Sequence, residues 1–185
     1  HITIRTGING DIINEGVERY KQLNQKHLKP SEEGHQGHII HVAVETTQSG
    51  ITIAEAASHR VFLEEHELKI EPRTDVSPAK AYQEFSYDVI QGQSIMLEKI
   101  VAIYTSKPDD VENPVKEATK LVSIPVRYSD VEAASEETWK KLWKDIDVII
   151  EGSRMDQKLL RLHLYHLMVS ASPHNHSIDA SFTAR

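Results

Sequence analysis

The sequence predicts a mainly β protein with a helical C-terminal part: a partial antiparallel β-sandwich over residues 1–107, then linker helices over residues 108–185. Two observations predict this fold class. Up to residue 107, apolar and polar residues alternate in runs of about eight to twelve residues, separated by Gly, Ser and Asn turns, which is typical of antiparallel strands. From Asn113 onward the apolar residues recur every three or four positions, which is the period of a helix.

The strand region is predicted to contain two hairpins. HIIHVAVETT places Ile40, Val42 and Val44 on one face, and after the turn TQSG the segment ITIAEAASHRVF runs back along it. AYQEFSYDVI and SIMLEKIVAIYTS repeat this pattern around IQGQ, which predicts the second hairpin. Because the chain begins inside the strand-like stretch HITIRT and offers few strands to cover both faces, we expect an incomplete sandwich.

Three helices are predicted after the strands. Asn113 is a suitable N-cap and Pro114 a suitable first residue of the first helix. The second helix is predicted at about 128–145, and the third from its cap at Ser153 to Ser170. Apolar residues surround the third helix on all sides, so it must be covered on more than one side, and we expect a missing domain or a second subunit there. The residues concerned are Leu159, Leu160, Leu162, Leu164, Tyr165, Leu167 and Met168.

Composition excludes several classes of partner. The 185 residues carry a formal net charge of −7 and no basic stripe, so nucleic acid is not expected to bind. No apolar run approaches the ~20 residues that cross a bilayer, so no membrane partner is expected. The absence of cysteine excludes disulfides and thiolate metal sites and is compatible with a reducing compartment, so we expect a cytoplasmic protein.

The eleven histidines raise the question of a metal site. Four of them cluster at or just beyond the third helix, where imidazoles three or four positions apart can share an ion. These four are His163, His166, His174 and His176. No carboxylate stands at a recognised offset, so an ordinary packed or interfacial pair is the favoured interpretation. A second set, His35, His38 and His41, lies in or near a strand, whose period of two sends its members to opposite faces.

Trp139 and Trp143 lie one turn apart on the second helix. They could stack on a sugar ring or fasten the helix to the sheet, and the apolar residues beside them favour packing. Three carboxylate pairs, Glu64-Glu65, Asp109-Asp110 and Glu136-Glu137, indicate solvated surface rather than an acid and base across a cleft. With no phosphate loop, GxSxG motif or cysteine nucleophile, the residues by themselves indicate no active site.

The order of TWKKLWKDIDVIIEG, DQKLLRLHLYHLMVSAS and HSIDASFTAR resembles the linker region of glycoside hydrolase family 65, the maltose, trehalose and kojibiose phosphorylases and related acid trehalases. ITIRTGINGDIIN, TTQSGITIAEAA and LEKIVAIYTSKP likewise resemble strands of that family's N-terminal sandwich. The matching linker residues are Trp139, Leu142, Trp143, Asp145, Ile146, Ile150, Glu151, Gly152, Leu160, Arg161, His166 and Leu167.

The resemblance implies an enzyme that cleaves α-glucosidic disaccharides, most often by inverting phosphorolysis to β-glucose 1-phosphate. The family's catalytic residues lie in an (α/α)6 barrel that follows the linker, so no catalytic, cofactor-binding or metal residue is assigned to this chain, and it is expected to be inactive alone. No cofactor is expected; inorganic phosphate would be a co-substrate of the parent enzyme. The expected partners are an α-glucoside disaccharide, through the parent enzyme, and further copies of the protein in a homo-oligomer. A hydrolase, or a stand-alone sugar-binding or adhesion sandwich, is the alternative.

Overall fold

The computed structural model describes residues 1–13, 26–107 and 111–170. Eight strands precede three helices in these residues. The strands are β1 Ile2–Asn9, β2 Leu28–Gln36, β3 Ile39–Thr46, β4 Thr52–Leu63, β5 His66–Leu68, β6 Arg73–Ser77, β7 Lys80–Tyr87 and β8 Ile95–Thr105. The helices are α1 Pro114–Val122, α2 Tyr128–Ile146 and α3 Arg154–Ser170. The predicted class, mainly antiparallel β followed by helices, is confirmed.

The strands form two antiparallel sheets. The smaller sheet has the order β1-β7-β6. The larger sheet has the order β2-β3-β4-β5, and β8 pairs with β4 along its whole length. The long strand β4 is therefore the central strand of the larger sheet, and side chains alternating along it face two different layers.

One face of the larger sheet packs against the smaller sheet. Ile40, Val42 and Val44 of β3, the apolar face predicted from the alternation, are buried there together with Ile8 of β1 and Ala81 of β7. This arrangement makes a sandwich core from alternate residues of both sheets.

The other face of the larger sheet packs against α1. Ala56 and Ala102 on the strands meet Ala118 and Val122 on the helix, and Val115 lies over Ala43 and Ala54. The methyl side chains of alanine let the helix axis come close to the sheet. This explains the small residues Ala54 and Ala56 on the face of β4 that meets α1.

The first predicted hairpin is confirmed, but the second is wrong. β3 and β4 pair in register from Ile39 opposite Ser58 to Glu45 opposite Thr52. β7, in contrast, pairs with β1 and β6 in the smaller sheet, whereas β8 pairs with β4 in the larger one. Alternation specifies which face of a strand is apolar and not which strand lies beside it, and the connection between β7 and β8 crosses from one sheet to the other.

The three helices begin and end close to the predicted positions. The Asn113 side chain accepts a hydrogen bond from the Lys116 backbone N–H at 2.9 Å, and Pro114 occupies the first turn of α1. At α3 the Ser153 hydroxyl accepts from the Met155 backbone N–H at 3.1 Å. Both caps satisfy N–H groups that have no partner within the helix.

The chain divides into two compact units, residues 1–128 and 129–185. The first contains both sheets and α1, so α1 belongs with the strands by its contacts. The predicted division into a sandwich domain and a helical linker stays a prediction.

The second unit contains nearly all of α2 and α3, and neither helix buries a residue completely. Within the described ranges, no helix is long and apolar enough to cross a membrane. The predicted apolar surface of α3 is present: Leu159, Leu162, Tyr165 and Leu167 are each more than two-fifths exposed.

Candidate functional site

A buried polar pair lies between the two sheets. His59 on β4 is 1% exposed and Gln83 on β7 is 0% exposed. The His59 Nδ1 and Gln83 Oε1 atoms are 2.9 Å apart, and the Gln83 amide donates to the Gly37 carbonyl oxygen at 2.7 Å. Each buried polar group is thus paired, as burial requires.

The hydrogen bonds of His59 match a neutral imidazole. Because Gln83 Oε1 can only accept, Nδ1 carries the proton, and Nε2 then accepts from the Thr6 hydroxyl at 3.3 Å. Burial lowers the pKa of His59 to about 4, although the hydrogen bond that His59 donates to Gln83 acts in the opposite direction. This neutral pair cross-links the sheets and is not arranged to hold a substrate.

A pocket of about 240 Å³ opens beside β4, and His59 is one of the residues that line it. Its strand side is formed by His38, Ser58 and Arg60 with the β5 end around Lys69, and its other side by the chain segment 122–126 that follows α1. All of these residues lie in the first compact unit. The pocket is therefore the candidate binding site of this part of the chain.

Charges line one side of the pocket. The Arg60 Nε donates to Glu67 Oε1 at 2.9 Å, and a second contact joins Arg60 Nη2 to Glu67 Oε2. This two-contact ion pair raises the pKa of Arg60 and lowers the pKa of Glu67, so both side chains are charged. Lys69, farther along the same side, has no ion pair or hydrogen bond with any residue the structure describes.

The His38 side chain packs against Phe85, a buried residue of the smaller sheet. Its ring stacks on Phe85 with centroids 5.9 Å apart and planes 22° from parallel. The Nδ1 atom is buried and has no hydrogen-bond partner among the described residues. A buried nitrogen of this kind needs water or a ligand to satisfy it.

A second ion pair fixes the segment that leads into α2. Arg127 donates from Nε and Nη2 to the two carboxylate oxygens of Glu98 at 2.8 and 3.0 Å. The guanidinium carbon also lies 4.0 Å from the centre of the Phe62 ring. Since the Glu98 side chain is only 9% exposed, this pair is screened less by solvent than the surface pairs are.

The predicted tryptophan pair lies on α2 and meets α3 through one ring. Trp139 and Trp143 have centroids 6.4 Å apart, and the Trp139 ring lies 5.2 Å from Tyr165. Both tryptophans are half-buried, so the full burial on which a large packing contribution depends is not reached in this chain. Trp139 packs one helix of the second unit on the other.

The connection between α2 and α3 is held by polar contacts. Arg161 donates to both oxygens of Asp147, at 2.9 and 2.5 Å, which lowers the pKa of Asp147. The Gln157 side chain accepts from the Ile150 N–H and donates to the Val148 carbonyl oxygen, both at 2.9 Å. The arginine of the family-like motif therefore positions the connecting segment.

The remaining candidates from the sequence do not assemble into a site. In the part of the chain that the structure describes, no three histidine or acidic side chains are placed to hold a metal. His163 and His166 are exposed on α3, while His174, His176, Asp109 and Asp110 lie outside the described residues.

The carboxylate pairs that are described make surface contacts. Glu64 accepts from the Ser94 N–H at 2.8 Å, and Glu65 is exposed. Glu136 and Glu137 pair with lysines one turn along α2. This agrees with their interpretation as solvated surface.

Sequence reasoning missed the pocket and the His59–Gln83 pair. Both arise from β4, in the segment AASHRVF, where His59 lies on the inward face and Ser58 and Arg60 lie on the face toward α1. The sequence feature that could have indicated the pair is a histidine at an inward-facing position of an apolar strand. Its partner Gln83 belongs to another sheet, so no local pattern joined them.

Comparison with known proteins gives a family match over most of the chain. The model described as "Glycosyl hydrolase family 65, N-terminal domain" matches residues 1–142. An uncharacterized glycosyl hydrolase of Mycobacterium tuberculosis is 28% identical over 100% of this chain and 14% of its own length. Kojibiose phosphorylase of Halothermothrix orenii is 24% identical over 97% of this chain and 23% of its own length.

Two further comparisons also match nearly the whole chain. Trehalose 6-phosphate phosphorylase of Lactococcus lactis is 27% identical over 100% of this chain and 23% of its own length. The solved structure of a provisionally named kojibiose phosphorylase from human microbiome superposes with a TM-score of 0.72 at 13% identity, over 91% of this chain and 21% of that one. The chain thus spans less than a quarter of the length of each of these proteins.

Proposed function

Because this chain belongs to the N-terminal domain of glycosyl hydrolase family 65, we propose that it is the sandwich and linker part of an enzyme that cleaves α-glucosidic disaccharides by inverting phosphorolysis. The observation that carries the proposal is similarity along nearly the whole chain to proteins named as disaccharide phosphorylases. These include kojibiose, nigerose and α,α-trehalose phosphorylases.

The reaction proposed for the whole protein follows from the family resemblance. A glutamic acid protonates the leaving glycosidic oxygen while inorganic phosphate attacks the anomeric carbon from the opposite face, which yields β-glucose 1-phosphate. The glutamic acid and the phosphate site would lie in the barrel and not in residues 1–185. The role proposed for this chain is therefore structural, and it should not turn over any α-glucoside alone.

The first test is an assay of the whole protein that contains this chain. Maltose, trehalose, kojibiose and nigerose are each incubated with and without inorganic phosphate, and glucose 1-phosphate is measured separately from glucose. We expect phosphate-dependent release of β-glucose 1-phosphate from one of them. Turnover of a disaccharide by purified residues 1–185 would contradict the structural role of the chain.

Hydrolysis is the second candidate function. The observation that favours it is the 28% identity over the full chain to a protein named as a glycosyl hydrolase. In such an enzyme a second carboxylate would activate water in place of phosphate. Release of two sugars at the same rate with and without phosphate would support this candidate over phosphorolysis.

The apolar surface of α3 supports a covering partner in the whole protein. Leu167 and Leu162 are 55% and 49% exposed, and Tyr165 is 42% exposed. Burying a large apolar side chain contributes about 1.5 to 3 kcal/mol, so such a surface favours association. We expect residues 1–185 to form dimers or larger assemblies through α3, whereas a monomer in sedimentation at high concentration would contradict this.

A further inference from the structure

We propose that the side of the sandwich bounded by β1 and β8 is a docking surface for a β-strand of the whole protein that lies outside residues 1–185. The strand would pair with the outer edge of β1 and pack its apolar side chains on the inner face of β8. This inference rests on the proposal that the chain is part of a longer enzyme. It does not depend on which reaction that enzyme catalyses.

The smaller sheet ends one strand position short of the larger one. Across the sandwich, β6 lies next to β2, β7 lies over β2 and β3, and β1 lies over β3 and β4. In the larger sheet β8 follows β4, and in the part of the chain that the structure describes no strand pairs with β1 on the side away from β7. The position beside β1 and over β8 is therefore where the next strand of the smaller sheet would lie.

The edge of β1 that faces away from β7 carries backbone groups oriented for pairing. The Gly10 N–H donates to the Ala79 carbonyl oxygen at 2.7 Å, so even-numbered residues of β1 bond toward β7 and odd-numbered ones point the other way. The Gly7 carbonyl oxygen follows this alternation, since it accepts at 2.7 Å from the Lys99 Nζ of β8. The N–H groups that face the same side belong to Thr3, Arg5, Gly7 and Asn9.

Strand β8 presents apolar side chains on the face over which a further strand would lie. Val101 is opposite Ala57, a residue of the core between the sheets, so both side chains face the smaller sheet. Ile103 lies two positions along on the same face. Val101 is nevertheless 41% exposed and Ile103 64% exposed, whereas inward-facing residues of a sandwich normally form its core. A strand beside β1 would cover both side chains.

Lys99 favours a strand over other occupants of this side. It lies on the inner face of β8, two positions from Val101, and its ammonium group donates to the Gly7 carbonyl oxygen. The ammonium group has three N–H donors, and burying it requires acceptors for the others. A strand that pairs with β1 brings backbone carbonyl oxygens to this edge, whereas the apolar face of a helix would not.

The charge on β1 disfavours a second copy of the chain as the occupant. Arg5 lies on the outer face of β1, over the Tyr82 ring. In the two antiparallel registers that overlap two β1 strands most, the Arg5 side chains would lie opposite or diagonal to one another. Like charges in such positions are destabilising. The relatives compared above are more than four times as long as this chain, so further polypeptide of the whole protein is the occupant we infer.

The first test measures amide hydrogen exchange of β1 by mass spectrometry, in the whole protein that contains this chain and in purified residues 1–185. We expect the outward-facing amides of β1 to exchange at least about tenfold more slowly in the whole protein, because a paired strand protects them. Equal exchange in both would overturn the proposal. Protection in residues 1–185 that grows with protein concentration would overturn it too, since the occupant would then be a second copy.

The second test asks whether Ile103 is covered in the whole protein. The chain contains no cysteine, so Ile103→Cys introduces a thiol whose labelled peptide is identified by mass spectrometry. We expect it to react at least about tenfold more slowly than Ile90→Cys, the matched control at a 72% exposed isoleucine after β7. Equal rates would overturn the proposal. Slow reaction of Ile103→Cys with unprotected β1 amides would also overturn it, because a body other than a paired strand would then cover β8.

Failure of this inference can be told apart from failure of the proposed reaction. Glucose 1-phosphate release is measured on the same preparations of the whole protein. A phosphorolytic enzyme in which Ile103→Cys reacts as fast as Ile90→Cys would contradict only the docking surface. An enzyme that hydrolyses disaccharides without phosphate but protects the β1 amides would contradict only the proposed reaction.

Discussion

The buried His59–Gln83 pair should make the stability of the first compact unit depend on pH in a defined window. The perturbation is acidification of the chain, compared with a His59→Gln variant that cannot titrate at this position. Since the neutral imidazole donates to Gln83 and accepts from Thr6, protonation removes the acceptor and places a charge between the sheets.

The sign of the effect follows from the pKa values in the two states. The pKa of His59 is about 4 in the folded protein and about 6.5 when unfolded. Between these values the unfolded chain binds more protons than the folded one, so stability falls as pH decreases. The contribution is fully present above pH 6.5 and is lost as pH falls through 4.

The magnitude follows from the same two values. A difference of about 2.5 pKa units at ~1.36 kcal/mol each amounts to about 3 kcal/mol. The assay is urea unfolding at a series of pH values from neutral to about 4. The difference in unfolding free energy between the parent chain and His59→Gln should change by about 3 kcal/mol across this range. The carboxylates titrate in both proteins, so their contribution to the pH dependence cancels in this difference.

An exposed histidine serves as the control. His66→Gln changes a solvent-exposed side chain in β5 and is unfolded by urea over the same series of pH values. Parallel pH curves for the parent chain and His59→Gln would refute the reasoning. They would mean that water or local opening solvates His59 in the folded state.

Three further predictions concern single contacts, each measured by urea unfolding. Asn113→Ala removes the N-cap of α1 and should lower the free energy of unfolding by about 1 kcal/mol. An unchanged free energy of unfolding would mean that water replaces the cap. Trp139→Ala should cost less than the ~3 to 5 kcal/mol of a fully buried aromatic, because the ring is only half-buried; a larger loss would show that it is covered in solution. Arg127→Met removes both hydrogen bonds that Arg127 donates to the Glu98 carboxylate and should lower the free energy of unfolding by about 1 to 3 kcal/mol. Its control, Lys120→Met, changes a 75% exposed side chain and should leave the free energy of unfolding nearly unchanged.

The sequence by itself determined the features that depend on neighbouring residues. Helix α1 begins where Asn113 and Pro114 predict it, and the hairpin β3–β4 has the predicted apolar face. Caps, turns and alternation act over a few residues, so they can be recognised in a linear pattern. The resemblance of the strands and linker to glycoside hydrolase family 65 was also present in the linear order of residues, and the match over residues 1–142 confirms it.

Only the tertiary structure decided which strands are neighbours and which side chains meet. β7 and β8 follow one another in the chain, yet they lie in different sheets, because an alternating strand can pair with any strand of matching face. His59 finds Gln83 across the two sheets, and the pocket joins β4 to the end of α1. These contacts depend on how layers pack, which is decided by the fit of whole faces and not by the residues within one element.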